Sequence, residues 1–311
     1  MYTVGFGLLV AILALVVTAG CGSPTTSASS GPTSSAPVTT SGTPASGTSN
    51  PPVSTTTAPS SATTSSTSNT APPTSTTAAP TSKTAADTPV RLTWFGQSAF
   101  LLEASDGTRI IIDPYQPGTS GSGLGYSPIA EGADAVVVTH EHTDHNAVDE
   151  VSGNPQVFRQ PTEATIGSTK ITGVPSFHDD QGGASRGSNT IVVLDDGALR
   201  VVHLGDLGVA LSAGQIRTIG RVDVLLVPVG GTYTIDAATA LEQVFALAPR
   251  VVVPMHYKTT KVKLPLAPVD DFLARTEHAG LRIHRVGGSS MELSPDTLPD
   301  TTEVFVLEPA R

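Results

Sequence analysis

The run Thr139-His140-Glu141-His142-Thr143-Asp144-His145 is where this chain concentrates its chemistry. Four side chains able to hold a metal, His140, His142, Asp144 and His145, fall within six residues. They follow Ala135-Val136-Val137-Val138, an apolar run that predicts a buried strand. Two imidazoles spaced i, i+2 at a strand end point the same way. Asp144 and His145 then fall where the next helix is expected to start, and face a second ion. This spacing favours two adjacent divalent cations with a water held between them, and hence hydrolysis.

Three further candidates close strand-like runs. Val174–Phe177 delivers His178, Val201–Leu204 delivers Asp206 at the Gly205 turn, and Val251–Met255 delivers His256. A single buried histidine is more often a hydrogen-bonded core residue, and Asp206 is also placed to cap a helix. Their common position at strand ends favours the metal reading, because rigid elements hold ligands while loops meet the substrate. The lone cysteine, Cys21, lies far from this set, so no thiolate ligand is expected. Two divalent ions are expected, zinc first. Nitrogen and oxygen donors also admit Mn or Fe.

The elements that must position these residues occupy the last two thirds of the chain. Strand patterns cover Arg91–Phe95, Ala99–Glu103, Arg109–Ile112, Ala135–Thr139, Thr190–Leu194, Leu199–Leu204, Val222–Val227, Arg250–Pro254 and Arg282–Val286; helical patterns cover Ser212–Ile219, Asp236–Ala246 and Val269–His278. Early strands follow one another directly and later ones alternate with helices, an α/β pattern of sheets faced by helices. Residues 88–311 form one domain. The Gly/Ser-rich stretch Gln116–Ser127 is long for a connection and is expected to act as a flap beside the site.

The N-terminal third reads differently. Residues 1–21 are apolar and end Val17-Thr18-Ala19-Gly20-Cys21, which resembles a bacterial lipoprotein signal with Cys21 as the lipidated residue. No Lys or Arg precedes Lys83, so the usual basic start is missing. The plainer reading is an uncleaved apolar anchor. Residues 22–87 are a Ser/Thr/Pro/Ala-rich linker with too little apolar surface to offset ordering. Together these predict an extracytoplasmic protein held to the membrane by lipid. The formal net charge of −10 argues against nucleic acid as a partner.

The full ligand set resembles the metallo-beta-lactamase superfamily, with its His-x-His-x-Asp-His run, later His, bridging Asp and final His. Trp94-Phe95-Gly96-Gln97-Ser98, Ile112-Asp113-Pro114, His203-Leu204-Gly205-Asp206 and Pro254-Met255-His256-Tyr257 look like its ascorbate-phosphate-lactonase-like branch. The resemblance implies a four-layer αββα sandwich. It also implies one ion on His140, His142 and His178, a second on Asp144, His145 and His256, and Asp206 bridging. Gln97 departs from the histidine common in that turn, and no effect on metal binding is expected.

The function implied is an exported dinuclear hydrolase in which a metal-bridged hydroxide cleaves an ester-like bond, a lactone or phosphodiester, in a small molecule. Asp144 and Asp206 orient the attacking water. Asp113 and His203 are expected behind the ligands. Arg186, Asn189, Tyr233, Tyr257 and Lys258 are candidate substrate contacts, with Arg186 and Lys258 suited to an anion. The competing reading is a non-catalytic metal-binding envelope lipoprotein.

Overall fold

The computed structural model describes residues 88–311; the expected signal at 1–21, its Cys21 and the linker 22–87 lie outside the described residues. The chain runs β1 (Val90–Gly96), β2 (Ala99–Glu103), β3 (Arg109–Ile112), β4 (Ala135–Val138), β5 (Gln156–Arg159), β6 (Glu163–Ile166), β7 (Thr169–Phe177), β8 (Ser188–Asp195) and β9 (Arg200–His203). It continues with α1 (Ala213–Ile219), β10 (Val224–Pro228), α2 (Ala237–Leu247), β11 (Val251–Met255), α3 (Asp270–His278), β12 (Arg282–Arg285), β13 (Ser290–Leu293) and β14 (Glu303–Val306). These strands make a six-stranded sheet, β13-β1-β2-β3-β4-β5, and an eight-stranded sheet, β12-β14-β11-β10-β9-β8-β7-β6.

Strand alternation in the first sheet sorts its side chains into two layers. Leu92, Trp94, Phe100, Leu102, Ile110 and Val137 join the main core shared with the second sheet. Phe95, Leu101, Ile111, Val136 and Val138 face the other way into a smaller cluster. All three helices contact strands of the second sheet or one another. A capping box between Ser212 and Gln215 starts α1, and Asp236 caps α2 by accepting from the Thr239 N–H at 2.8 Å. The outer face of the first sheet is covered instead by irregular chain: Tyr115, Leu124, Tyr126 and Ile129 pack there with Val262 and Leu266. This is the layered sandwich expected, with one of its two outer layers built here mainly from loops.

Segment 116–127 is anchored in that layer. Leu124 and Tyr126 are buried, Gly125 N–H donates to Lys261 O at 2.7 Å, and Lys263 N–H donates to Gly123 O at 2.8 Å. A Cβ on Gly96 would lie 2.5 Å from the Tyr126 ring, and its φ of +121° also requires glycine. No helix starts at Asp144. The chain instead turns tightly, with the N–H of His145 and of Asn146 donating to His142 O at 2.9 and 3.1 Å, and reaches a single 3-10 turn at Val148–Glu150.

Sequence pattern missed β5, β6, β13, β14 and the first half of β7. Three of these, β5, β6 and β13, are sheet edges with few buried residues, so they carry little apolar alternation. In β7 the run is broken by Gly173 and Pro175. β6 pairs β7 only over 169–172, so Pro175 sits where no donor is needed.

What positions the site is strand direction. In the first sheet β1, β3 and β4 run the same way, and in the second β7, β9, β10 and β11 do. Their C-terminal ends deliver the candidate ligands to one edge of the sandwich.

Candidate metal centre

The loop after β4 carries His140, His142, Asp144 and His145; His178 follows β7, Asp206 follows β9 and His256 follows β11. Donor atoms of His140, His142 and His178 lie within 4.8 Å of one another, and so do those of Asp144, His145, Asp206 and His256. The two groups meet at Asp206. Its Oδ2 is 3.2 Å from His178 Nε2, 3.1 Å from His256 Nε2, 3.3 Å from His145 Nε2 and 3.9 Å from His140 Nε2.

Residues behind two of these ligands, His145 and His140, set their tautomers. Asp113 is fully buried with φ +47°. Its Oδ1 accepts from Thr139 N–H at 2.8 Å, and its Oδ2 accepts from the Thr139 hydroxyl at 2.6 Å. Oδ2 also lies 2.9 Å from His145 Nδ1, so that nitrogen carries the proton and Nε2 faces the cluster. With its proton given to Asp113, the Thr139 hydroxyl accepts from His140 Nδ1 at 3.0 Å, which leaves His140 Nε2 bare. His203 lies outside the cluster. Gly205 N–H donates to its Nδ1 at 3.0 Å, so its Nε2–H donates to Ser98 O at 2.9 Å, tying the β1–β2 turn to the Asp206 turn.

Several bends are held against steric preference. Gln97 and His256, like Asp113, have positive φ, +52° and +51°, a conformation that costs non-glycine residues on the order of 1–3 kcal/mol. His256 N–H donates to Gln97 O at 3.1 Å and His256 O accepts from Gly230 N–H at 3.1 Å, which pins that bend. Gly205 turns the chain after β9, where a Cβ would strike Asn189 Oδ1 at 2.2 Å.

A cation fits this set. Among the described residues His140 Nε2, His145 Nε2 and Asp206 Oδ1 are buried without a hydrogen-bond partner, and orphans of this kind each cost about 1–3 kcal/mol. Two donors about 2.0–2.1 Å from one tetrahedral ion stand roughly 3.3 Å apart, close to the spacings around Asp206 Oδ2. A cluster of protonated histidines is the alternative, and the rings oppose it in part. Burial, with His145 nearby, pushes His140 down to about 3. Burial also lowers His142 and His203. His145 is the exception: burial opposes its charge, but the carboxylates of Asp206, Asp144 and Asp113 hold it well above the usual histidine range. Burial likewise works against a charged Asp206, yet the surrounding histidines keep it well below the carboxylate range.

The cluster opens into a cavity of about 280 Å³ lined by His142, Asp144, His178, Asp206, His256, Gly121, Ser122, Arg186, Tyr233 and Leu264. Arg186 donates to Thr232 O at 3.2 Å and lies 5.5 Å from the centre of the Tyr233 ring. The loop bearing Arg186 is gathered by Asp179, whose carboxylate accepts from the N–H groups of Gln181, Gly183, Ser185 and Arg186 at 2.6–2.8 Å. Three expected substrate contacts are elsewhere. Asn189 is buried, donates to Ser176 Oγ and Leu204 O, and accepts from Asp206 N–H at 3.0 Å, so it positions Asp206. Tyr257 packs in the core, 5.2 Å from the Trp94 ring centre. Lys258 donates to Leu264 O at 2.8 Å and does not line the cavity.

Sequence reasoning missed Thr139 and Asp179, and named Gln97 only as a departure from the histidine common in its turn. Gln97 Nε2 donates to Asp144 Oδ2 at 3.0 Å, a contact the sequence expectation of no effect did not foresee. Its place in the glycine-x-serine turn was the available signal.

Two facing sheets with a histidine and aspartate cluster at one edge define a class, the metal-dependent hydrolases of the metallo-beta-lactamase type. The profile of the beta-lactamase superfamily domain matches residues 91–256, and the chain belongs to the UPF0173 metal-dependent hydrolases of the metallo-beta-lactamase superfamily. A UPF0173 metal-dependent hydrolase from Archaeoglobus fulgidus is 32% identical over 229 residues, 63% of this chain and 95% of the relative. A Thermotoga maritima structure, assigned as a Zn-dependent hydrolase of the superfamily, is 39% identical with a TM-score of 0.58, covering 70% of this chain and 98% of that one. A metal-dependent hydrolase structure assigned from Parabacteroides distasonis, 18% identical with a TM-score of 0.50, covers 70% of this chain and 94% of its own, and shares the fold. The chain is accordingly a metal-dependent hydrolase.

Proposed function

We propose that this chain is an exported, lipid-anchored dinuclear hydrolase that cleaves an ester-like bond, a lactone or phosphodiester, in a small molecule. The observation that carries the two-ion reading is Asp206, whose carboxylate lies within reach of ring nitrogens from both donor groups. His140, His142 and His178 would hold one ion, Asp144, His145 and His256 the other, with Asp206 between. Zinc suits nitrogen and carboxylate donors, and the Zn assignment of the Thermotoga maritima relative supports it. Bound divalent ions there would supply Lewis acidity, to lower the pKa of a water and to polarise a substrate oxygen.

The chain's own residues do the rest. Asp144 lines the cavity with 15% of its side chain exposed, against 3% for Asp206. Asp144 is therefore the carboxylate that meets substrate, while Asp206 keeps the two donor groups in register. Arg186, steadied by the Tyr233 ring, is the one Lys or Arg side chain that lines the cavity among the described residues, and it orients an anionic substrate group. The motifs shared with the ascorbate-phosphate-lactonase-like branch support the lactone and phosphodiester classes. The apolar 1–21 segment with its terminal Cys21 supports export.

The test is metal analysis of the full chain together with a panel of lactones and phosphodiesters. Two zinc equivalents, turnover abolished by chelation and restored by zinc, and loss of that turnover in His142→Ala are expected. Stoichiometric metal with no turnover on any panel member would favour the non-catalytic envelope protein.

A further inference from the structure

We infer that Gln97 is a positioning residue for Asp144, and that it tunes cation affinity in one donor group, Asp144/His145/Asp206/His256, without touching the other. The inference rests on the two-ion reading above. Gln97 makes no hydrogen bond to a histidine side chain of the cluster; its side chain reaches the site through one carboxylate.

The geometry is specific. Gln97 is fully buried in the β1–β2 turn, and its main chain is fixed on two sides. Its carbonyl accepts from Trp94 Nε1–H at 3.0 Å and from His256 N–H at 3.1 Å. The side chain is thus aimed by a rigid turn. Its Nε2 donates to Asp144 Oδ2 at 3.0 Å, and that same oxygen stands 3.4 Å from His145 Nε2. The amide cannot be reversed, because Oε1 would then face a carboxylate, acceptor against acceptor.

The other end of the amide is the second observation. Gln97 Oε1 is buried with no hydrogen-bond partner among the described residues. A buried unpaired acceptor destabilises a fold, so an apolar residue of similar size would serve stability better. What the glutamine supplies in return is the hydrogen bond to Asp144. That bond restrains the carboxylate and leaves its remaining lone pairs for a cation. Groups that orient metal ligands in this way typically change metal affinity 10–100-fold when removed. Asp144 belongs to only one of the two donor groups, so the effect is one-sided. In the other group His140 is oriented through Thr139.

The experiment is titration of the chelator-stripped full chain with Co(II), followed by its visible absorption, alongside zinc titration and thermal unfolding of the metal-free protein. The variants are Gln97→Leu, which removes both the donor and the orphan, and Gln97→His, which restores an N–H donor. In the wild type two ions bind. In Gln97→Leu one ion is expected to bind as before and the other about 10–100-fold more weakly. The metal-free Tm should hold or rise, and Gln97→His should recover much of the lost affinity. Two ions bound as tightly by Gln97→Leu as by wild type would overturn the inference. Equal weakening of both ions with a lower metal-free Tm would also overturn it, since that marks a merely structural role. If the wild type takes a single ion, the two-ion reading fails by itself. The role of Gln97 then survives only if Gln97→Leu weakens that ion.

Discussion

At the scale of single residues, the centre depends on side chains that never meet an ion. Asp113 Oδ2 accepts two hydrogen bonds, from Thr139 Oγ1–H and His145 Nδ1–H, and through Thr139 it also decides the tautomer of His140. Asp113→Asn keeps the size and suits the positive φ, but it puts an amide where Asp113 offers acceptors on both oxygens. Metal affinity is expected to fall about 10–100-fold with the far-UV spectrum unchanged; wild-type affinity in this variant would show that the histidines orient themselves. Asp113 was legible in the sequence because it ends a strand before Pro114. Gln97 was legible only as an oddity, because its effect depends on a turn 47 residues away from Asp144.

At the scale of elements, the device that brings Arg186 to the cavity is the 179–187 loop. Asp179 binds four of its N–H groups, a local closure that substitutes for regular structure. Asp179→Ala should free this loop and expose the Arg186 peptide bond to trypsin. A cleavage rate at Arg186 several-fold above wild type, with the rest of the domain intact, is the expected result; equal rates would mean the loop is held by its glycine turns alone. The element pattern itself was largely readable from sequence, since buried strands such as β4, β10 and β11 are uninterrupted apolar runs. The edge strands were not, because a half-exposed strand needs little apolar surface and takes its identity from a neighbour. β14 was hidden for another reason: it enters the sheet between β11 and β12, a place that chain order does not reveal.

At the scale of the whole molecule, the two sheets are tied at the end of β2 as well as through their core. Asp106, in the β2–β3 turn, accepts from its own Thr108 N–H at 2.8 Å and from Ser168 N–H of the β6–β7 turn at 2.7 Å. Slight burial opposes its charge, but the bonds from Thr108 and Ser168 bring it down to about 2. An aspartate depressed in the folded state stabilises fully above its unfolded value of about 3.9 and loses that contribution as pH falls through its folded value. Wild type should therefore exceed Asp106→Asn in stability at pH 6 by a margin that shrinks from about pH 4 toward pH 2, measured by urea unfolding. A margin independent of pH would show that Asp106 acts through shape and not through charge.

The histidine run, the strand ends that follow it and the seven candidate donors were determined locally, because a metal ligand must be one of a few residue types and a buried strand must be apolar. Tertiary structure alone decided which polar residues face the cavity. Asn189, Tyr257 and Lys258 have the chemistry of substrate contacts, yet each is engaged in holding the fold, while Arg186 and Tyr233 are turned inward. A side chain's type states what it can bind; its direction depends on strand register and turn geometry set by residues far away in the chain.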